Sequence, residues 1–473
     1  MKQGTMLAVC GLMIWWCGAA ADFPEGINVF FNDASHSDGA ALKASVLDMF
    51  DEARESIDVC VYHFDYRTYL DALCAAAQRI GVENVRVIVD HDYADEALAV
   101  LEPCGIEVRD DADGPDPSGR IVHDKFIIID GQSLWNGSAN FTAHGITSQN
   151  NNAVRIDNAA IAMCYKQEFE EMWAGRFGAE KAPHEEHDFT VGGAQISCYF
   201  SPSPAGEVEA AILAEIEAAR RDITFSIYYY TLRSVSDALL GAISHYNVSV
   251  IGVMDQEGAD SYSSEFTYLK NNGIAIRKHN EPCPHADLLH HKFMVLDRVA
   301  LSYEPVVITG SSNWTRSGCV DSHDENIMII HNRAVAEAYY AEFVKNYYGT
   351  NEEEEPELTL ALNGIGFNAG QRLILDAVMQ NTCLYRTVFL YAALNVGTDD
   401  YWFAPSWRHY PPSLDHLSIT LIGGGSVTTE TVLDAVMPDP LPPGGPFFFY
   451  GAMLDDASGE LLGDLQVVEF SLF

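Results

Sequence analysis

Two stretches of this chain pair the same residue types at the same spacing. His123-Asp124-Lys125 is followed after four residues by Asp130, then by Gly137-Ser138-Ala139-Asn140. His290-His291-Lys292 is followed at that spacing by Asp297, then by Gly310-Ser311-Ser312-Asn313. The apolar runs Phe126-Ile127-Ile128-Ile129 and Phe293-Met294-Val295-Leu296 predict a buried strand in each. Residues i and i+2 of a strand share a face, so each strand presents a His and a Lys side by side, with His291 turned the other way. Next to a Gly-Ser-x-Asn turn, such a pair suits a phosphate. Lys125 and Lys292 supply point charges, and Asn140, Asn313, Ser138 and Ser311 supply donors. Gly137 and Gly310 let backbone N–H groups approach. Asp130 and Asp297 either orient a ring nitrogen or serve a surface turn. Two such sets offer two imidazoles to one phosphorus, one to attack and one to protonate the leaving oxygen. An ordinary imidazole pKa of ~6.5 suits both tasks.

The elements that must position these residues also occur twice. Ile57-Asp58-Val59-Cys60-Val61-Tyr62 is matched by Ile223-Thr224-Phe225-Ser226-Ile227-Tyr228, Val85 to Asp90 by Val250 to Asp255, and Gly105 to Arg109 by Gly273 to Arg277. The offsets stay between 165 and 168 residues, the mark of an internal repeat. In each copy short apolar runs alternate with amphipathic patterns. Helices are expected over Ala41 to Glu55, Leu70 to Ala77, Glu207 to Arg221 and Val235 to Ile243. Strands are expected over Val59–Tyr62 and Phe225–Tyr228. This alternation implies an α/β fold.

The doubled His-x-Lys, Asp and Gly-Ser-x-Asn pattern resembles the phospholipase D superfamily over roughly residues 27–349. The first copy also has that family's six-residue gap between Asp130 and Gly137. The resemblance implies two tandem α/β/α sandwich repeats forming one pseudo-twofold unit. It implies a phosphodiester hydrolase with a covalent phosphohistidine intermediate and no cofactor or metal. His123 is assigned as nucleophile and His290 as acid. Lys125, Lys292, Asn140 and Asn313 would hold the phosphoryl oxygens, assisted by Ser138 and Ser311. The sequence departs from the family's pattern twice. Twelve residues separate Asp297 from Gly310, the surplus around Arg298–Pro305 reading as a longer hairpin. After the Gly-Ser turn the second copy has Glu325-Asn326, with Glu325 a candidate for substrate binding, where the first has Asn151-Asn152.

Of 473 residues, 27 are Lys or Arg and 68 Asp or Glu, a formal charge of −41. A protein that tracks a nucleic-acid backbone shows a basic footprint, so this balance favours a phospholipid or other small phosphodiester over a polyanion. A nuclease of the same superfamily remains the alternative, and a phosphate-binding module with a targeting β domain a further one. Met6 to Cys17 is apolar and precedes Ala19-Ala20-Ala21, so residues 1–21 read as a signal peptide and the protein as secreted or periplasmic. No later segment is apolar enough to span a membrane. Eight cysteines outside that segment make disulfides expected in such a compartment, with Cys283–Cys319 one pairing and Cys60 and Cys164 plain core thiols. Repeats over 22–180 and 195–349 are joined by a linker at 181–194. The acidic run Glu352 to Glu355 marks a second linker at 350–357. Residues 358–473 alternate apolar and polar and are rich in Gly, Pro and aromatics, which predicts an all-β, sandwich-like domain. With both motifs in one chain, no second copy is needed to complete the site, and a monomer is expected.

Overall fold

The computed structural model describes residues 23–32, 40–113, 120–184, 187–203, 206–279, 288–298 and 304–348, and the backbone of strands between 357 and 472. Residues 21–347 form one compact unit, and the chain from Tyr348 onward belongs to another. The N-terminal apolar segment, the acidic run, Cys283 and the surplus hairpin residues 299–303 lie outside the described residues.

The first unit holds two mixed sheets of the same topology. One comprises β1 (Ile27–Asn32), β2 (Ile57–Val61), β3 (Val85–Val89), β4 (Glu107–Asp110), β6 (Lys125–Ile129), β7 (Ser133–Gly137) and β8 (Gln149–Asp157), in the order β1-β8-β7-β6-β2-β3-β4. Two-residue β5 (Ile121–Val122) lies between β4 and β6 in sequence and outside this sheet. The second sheet comprises β9 (Asp188–Val191), β10 (Ala194–Ser201), β11 (Asp222–Ile227), β12 (Ser249–Met254), β13 (Ala275–Lys278), β15 (Lys292–Leu296), β16 (Val306–Gly310) and β17 (His323–His331). Its order is β13-β12-β11-β15-β16-β17-β10-β9. β6 and β15 sit at the sheet centres with every residue buried. Their unbroken apolar runs reflect helices on both faces, which leave no face to water.

Helices Ala40–Glu52 and Arg67–Ile80 pack on one face of the first sheet, and Glu207–Ala218 and Arg233–Tyr246 on one face of the second. Helices Ala159–Trp173 and Arg333–Tyr348 lie between the repeats. The Tyr165 hydroxyl donates to Asn326 Oδ1 of the second repeat, and Asn152 of the first donates to the Tyr339 hydroxyl. Two helices end earlier than their periodicity predicts, for one reason. The Asp130 carboxylate accepts the backbone N–H groups of Arg54, Glu55 and Ser56, and that of Asp297 those of Arg220 and Arg221. These acceptors draw the chain out of the helix and into β2 and β11.

The sheets exchange short strands. β5, of the first repeat, pairs with β17 of the second, and β14 (Leu288–Leu289), of the second, pairs with β8 of the first. Each exchanged pair of residues immediately precedes one of the motif histidines.

Cys74, on the helix Arg67–Ile80, is bridged to Cys104 ahead of β4. Neither cysteine stands out by spacing. Replacing both with serine should lower unfolding free energy by about 2–4 kcal/mol, read from the urea midpoint. Cys60, Cys164, Cys198 and Cys319 are buried and outside any disulfide. Cys319 lies 3.4 Å from Ser312 Oγ and donates to the Asn313 carbonyl, which corrects the expected Cys283–Cys319 bridge. Between 357 and 472 the described backbone consists of strands alone, in a three-stranded and a seven-stranded sheet. Among the described residues no helix is long and apolar enough to cross a membrane.

Candidate active site

The strand exchange brings the two motifs together. β5 sits on the second sheet and β6 on the first, so His123 falls at the crossing between repeats. His290 does the same between β14 and β15. His123 N–H donates to the Asp324 carbonyl of the second repeat (2.9 Å), and His290 N–H to the Asn150 carbonyl of the first (3.0 Å). Lys125 Nζ donates to the His123 carbonyl and Lys292 Nζ to the His290 carbonyl, so each Lys folds back beside its own His.

The ring partners also come from the opposite repeat, and they differ. His123 Nδ1 lies 2.8 Å from Glu325 Oε1, without the alignment of a hydrogen bond. His290 Nδ1 lies 2.9 Å from Asn151 Oδ1. The δ nitrogen of each ring thus faces its orienting partner, and Nε2 is the nitrogen left for chemistry. Tyr62 and Tyr228 flank the rings, each with its centroid 5.0 Å from the neighbouring imidazole. Lys125 and Lys292 lie over these two tyrosines at 5.3 and 5.2 Å.

Burial, and then Lys125, Lys292 and the other histidine, hold His123 well below the usual imidazole range. Burial and the two lysines do the same to His290. Both rings are therefore neutral near pH 7 before any anion arrives. Burial lowers Lys125 to about 8, against the pull of Glu325 and Asp124, and Lys292 is also driven well down. Burial pushes the Glu325 carboxyl well up, with Lys125 and Lys292 drawing it back. Cations crowded in a dry site are relieved by a bound anion. Lys125 is lowered, so it is charged below pH 8 and loses its proton above. KM for an anionic diester should therefore rise as pH passes about 8, with kcat less affected, in initial-rate profiles from pH 6 to 10.

Several residues serve differently from expectation. Asp130 and Asp297 stand five residues beyond the lysines, ~17 Å along the strand, at left-handed φ of 55° and 58°. They bind backbone N–H groups there, so they are turn residues and orient neither histidine. Ser138 Oγ donates to Asn151 Oδ1 and accepts from Asn152 N–H, while Ser311 Oγ accepts from Asn326 N–H. These hydroxyls brace β8 and β17 beside the ring partners. A Cβ on Gly137 or Gly310 would collide with the carbonyl of Asn152 or Asn326. These glycines permit close strand pairing. Glu325 stands behind the His123 ring. Asn140 and Asn313 are part-buried, and Asn313 Oδ1 accepts from Tyr229 N–H at 3.3 Å.

The middle residues of the motifs face the interface between repeats. Asp124 accepts from Asn326 Nδ2 (2.6 Å). Buried His291 lies 3.1 Å from Asn152 Oδ1 and 3.0 Å from Glu342 Oε1. Sequence reading missed Gly145 and Gly318, whose Cβ would strike the carbonyls of Asn140 and Asn313. Their common five-residue distance from those asparagines is the signal that could have found them. Among the described residues, Asp90, His91 and Asp111 alone are grouped with metal-ligand spacing, and there His91 Nδ1 lies 2.9 Å from Asp111 Oδ1.

Interlocked α/β repeats that each place one His–Lys pair at a shared crossing define a tandem two-histidine phosphodiesterase architecture. The profile of the family described as "Cardiolipin synthase, PLD-like domain" matches residues 46–173 and 212–347, more than half the chain. The chain belongs to the phospholipase D superfamily. It is 31% identical over 141 residues to the mitochondrial cardiolipin hydrolase of Xenopus tropicalis, covering 29% of this chain and 63% of that protein. It is 34% identical over 125 residues to a phospholipase D of Rickettsia bellii, covering 26% of this chain and 59% of that protein. The chain thus spans less than two thirds of the curated relatives it matches. Phosphatidylserine synthase of Haemophilus influenzae shares the fold, with TM-score 0.51 and 11% identity over 68% of this chain and 86% of that one.

Proposed function

We propose that this protein is an exported phosphodiesterase that hydrolyses phospholipid or related small phosphodiesters through a phosphohistidine. The observation that carries the reading is the cross-repeat pairing of two buried, neutral imidazoles beside two lysines. His123 Nε2 attacks phosphorus, the ester P–O bond breaks, and the leaving oxygen takes a proton from His290 Nε2. Water then attacks the phosphohistidine and returns a proton to His290, releasing a phosphomonoester and free His123. Protonated His290 is required for the first step. The diester's negative charge, arriving beside Lys125 and Lys292, favours that proton.

The unequal ring partners support the order of roles. Phosphorylated His123 carries a positive ring, and Glu325 opposite its Nδ1 offers a counter-charge. The amide of Asn151 offers His290 no such charge, so His290 gives up its proton more readily. The acidic balance of −41 favours a short substrate over a nucleic acid. The Cys74–Cys104 bridge and the apolar N-terminal segment support export.

The test offers the protein phosphatidylcholine, cardiolipin and single-stranded DNA side by side. Lipid turnover without DNA cleavage supports the reading, and DNA cleavage without lipid turnover overturns it. Full activity is expected after dialysis against EDTA, because neither proposed step uses a metal. Loss of turnover that added divalent ions restore would refute the metal-free scheme.

A further inference from the structure

Asp90 and Asp255 occupy equivalent places, directly after β3 and β12. Both are almost fully buried, at 1% and 3% exposure. Asp90 Oδ2 accepts the backbone N–H of Val122 at 3.1 Å, and Asp255 Oδ2 that of Leu289 at 3.0 Å. Val122 and Leu289 are the residues just before His123 and His290. The other oxygen of each carboxylate accepts the N–H two residues on, from Asp92 (3.1 Å) and Glu257 (2.7 Å). The backbone entering each histidine is therefore held from both sides. The N–H before the histidine goes to a carboxylate of its own repeat, and the histidine's own N–H goes to a carbonyl of the other. β5 and β14, two residues long each, pair with strands of the opposite repeat, so among the described residues the carboxylate is what ties that segment to its own repeat.

We propose that Asp90 and Asp255 are positioning residues of the reaction, each strapping the backbone that carries one of the two histidines. This rests on reading His123 and His290 as the reacting groups. The arrangement occurs in both repeats, with the same atoms engaged in each. A carboxylate is needed because two N–H donors approach one side chain from different directions. A carboxamide supplies one acceptor oxygen and turns an N–H toward the second donor. A misplacement of ~1 Å at a reacting group lowers rate by about 10²-fold while leaving binding largely intact.

The experiment compares Asp90→Asn and Asp255→Asn with the full-length wild type, using bis(4-nitrophenyl) phosphate at pH 8. Expected is a fall in kcat of about 10- to 100-fold with KM within about threefold. The melting temperature of each variant is recorded beside kcat, and kcat should fall at temperatures where the variant is fully folded. Amide exchange should quicken in peptides spanning 120–124 or 288–291, each in its own variant. Unchanged exchange, or kcat within twofold of wild type, overturns the proposal. So does a kcat loss that only parallels a falling melting temperature. If the wild type turns over no diester, the reading of the reaction fails by itself, and amide exchange still decides whether the straps exist.

Discussion

Turnover should fall by about 10⁴-fold or more when His123 is replaced by alanine, with the fold retained. Each tenfold is about 1.4 kcal/mol of transition-state stabilisation, so the expected loss is about 5.5 kcal/mol or more. The magnitude follows from losing the nucleophile: among the described side chains only His290 Nε2 also lies free beside both lysines, and the scheme already uses it as the acid, while Lys125 and Lys292 bind main-chain carbonyls. The measurement is initial rate on the best lipid substrate, with acid-labile, base-stable phosphate sought on the denatured protein. Label should sit on His123 in the wild type. With bis(4-nitrophenyl) phosphate, whose leaving group departs without a proton, His290→Ala should accumulate that label, because attack then needs no acid while hydrolysis of the phosphohistidine still needs the base. Label found on His290 alone would reverse the roles.

Glu325→Gln is expected to lower kcat by about 10²–10⁴-fold with little change in KM. The template is a carboxylate that fixes an imidazole's tautomer and supports its positive form, where the isosteric amide leaves geometry intact and removes most of the rate. Glu325 stands in that relation to His123 Nδ1 and is completely buried, so the substitution meets no solvent to compensate. The two forces on Glu325 make the experiment decisive. Burial pushes its carboxyl up, and the two lysines draw it down. A loss below about threefold would mean that the carboxyl is already protonated at working pH and that the counter-charge argument fails. The companion variant Asn151→Asp places a carboxylate behind His290. It should raise the pH at which His290 releases its proton and slow the first step, shifting the alkaline limb of kcat upward.

The two sets of His, Lys and Asn, and their membership in one repeated α/β unit, were legible because chemistry and hydrophobic periodicity coincide there. A His-x-Lys ahead of four apolar residues can hardly be anything but a buried strand with a polar mouth, and the doubling at an almost constant offset removed the chance reading. The second half of each motif was harder. Asp130 and Asp297 are as regularly spaced as the histidines, yet their carboxylates hold the backbone after a helix, at the far end of the strand. Spacing along a chain records that a residue is required, and it does not record what the side chain touches. Ser138, Ser311, Gly137 and Gly310 taught the same lesson: their neighbours are the β8 and β17 residues that carry the ring partners.

The sequence by itself determined the strands, the number of repeats and which residues are candidates for the reaction, because local alternation and side-chain chemistry are properties of neighbouring residues. Only the tertiary structure decided which residue stands behind which histidine. β5 and β14 cross to the opposite sheets, so Glu325 of the second repeat meets His123 of the first, and Asn151 of the first meets His290 of the second. Those partners lie 202 and 139 positions apart in the chain. Their pairing is set by backbone hydrogen bonds between two sheets, which carry no side-chain signal to read.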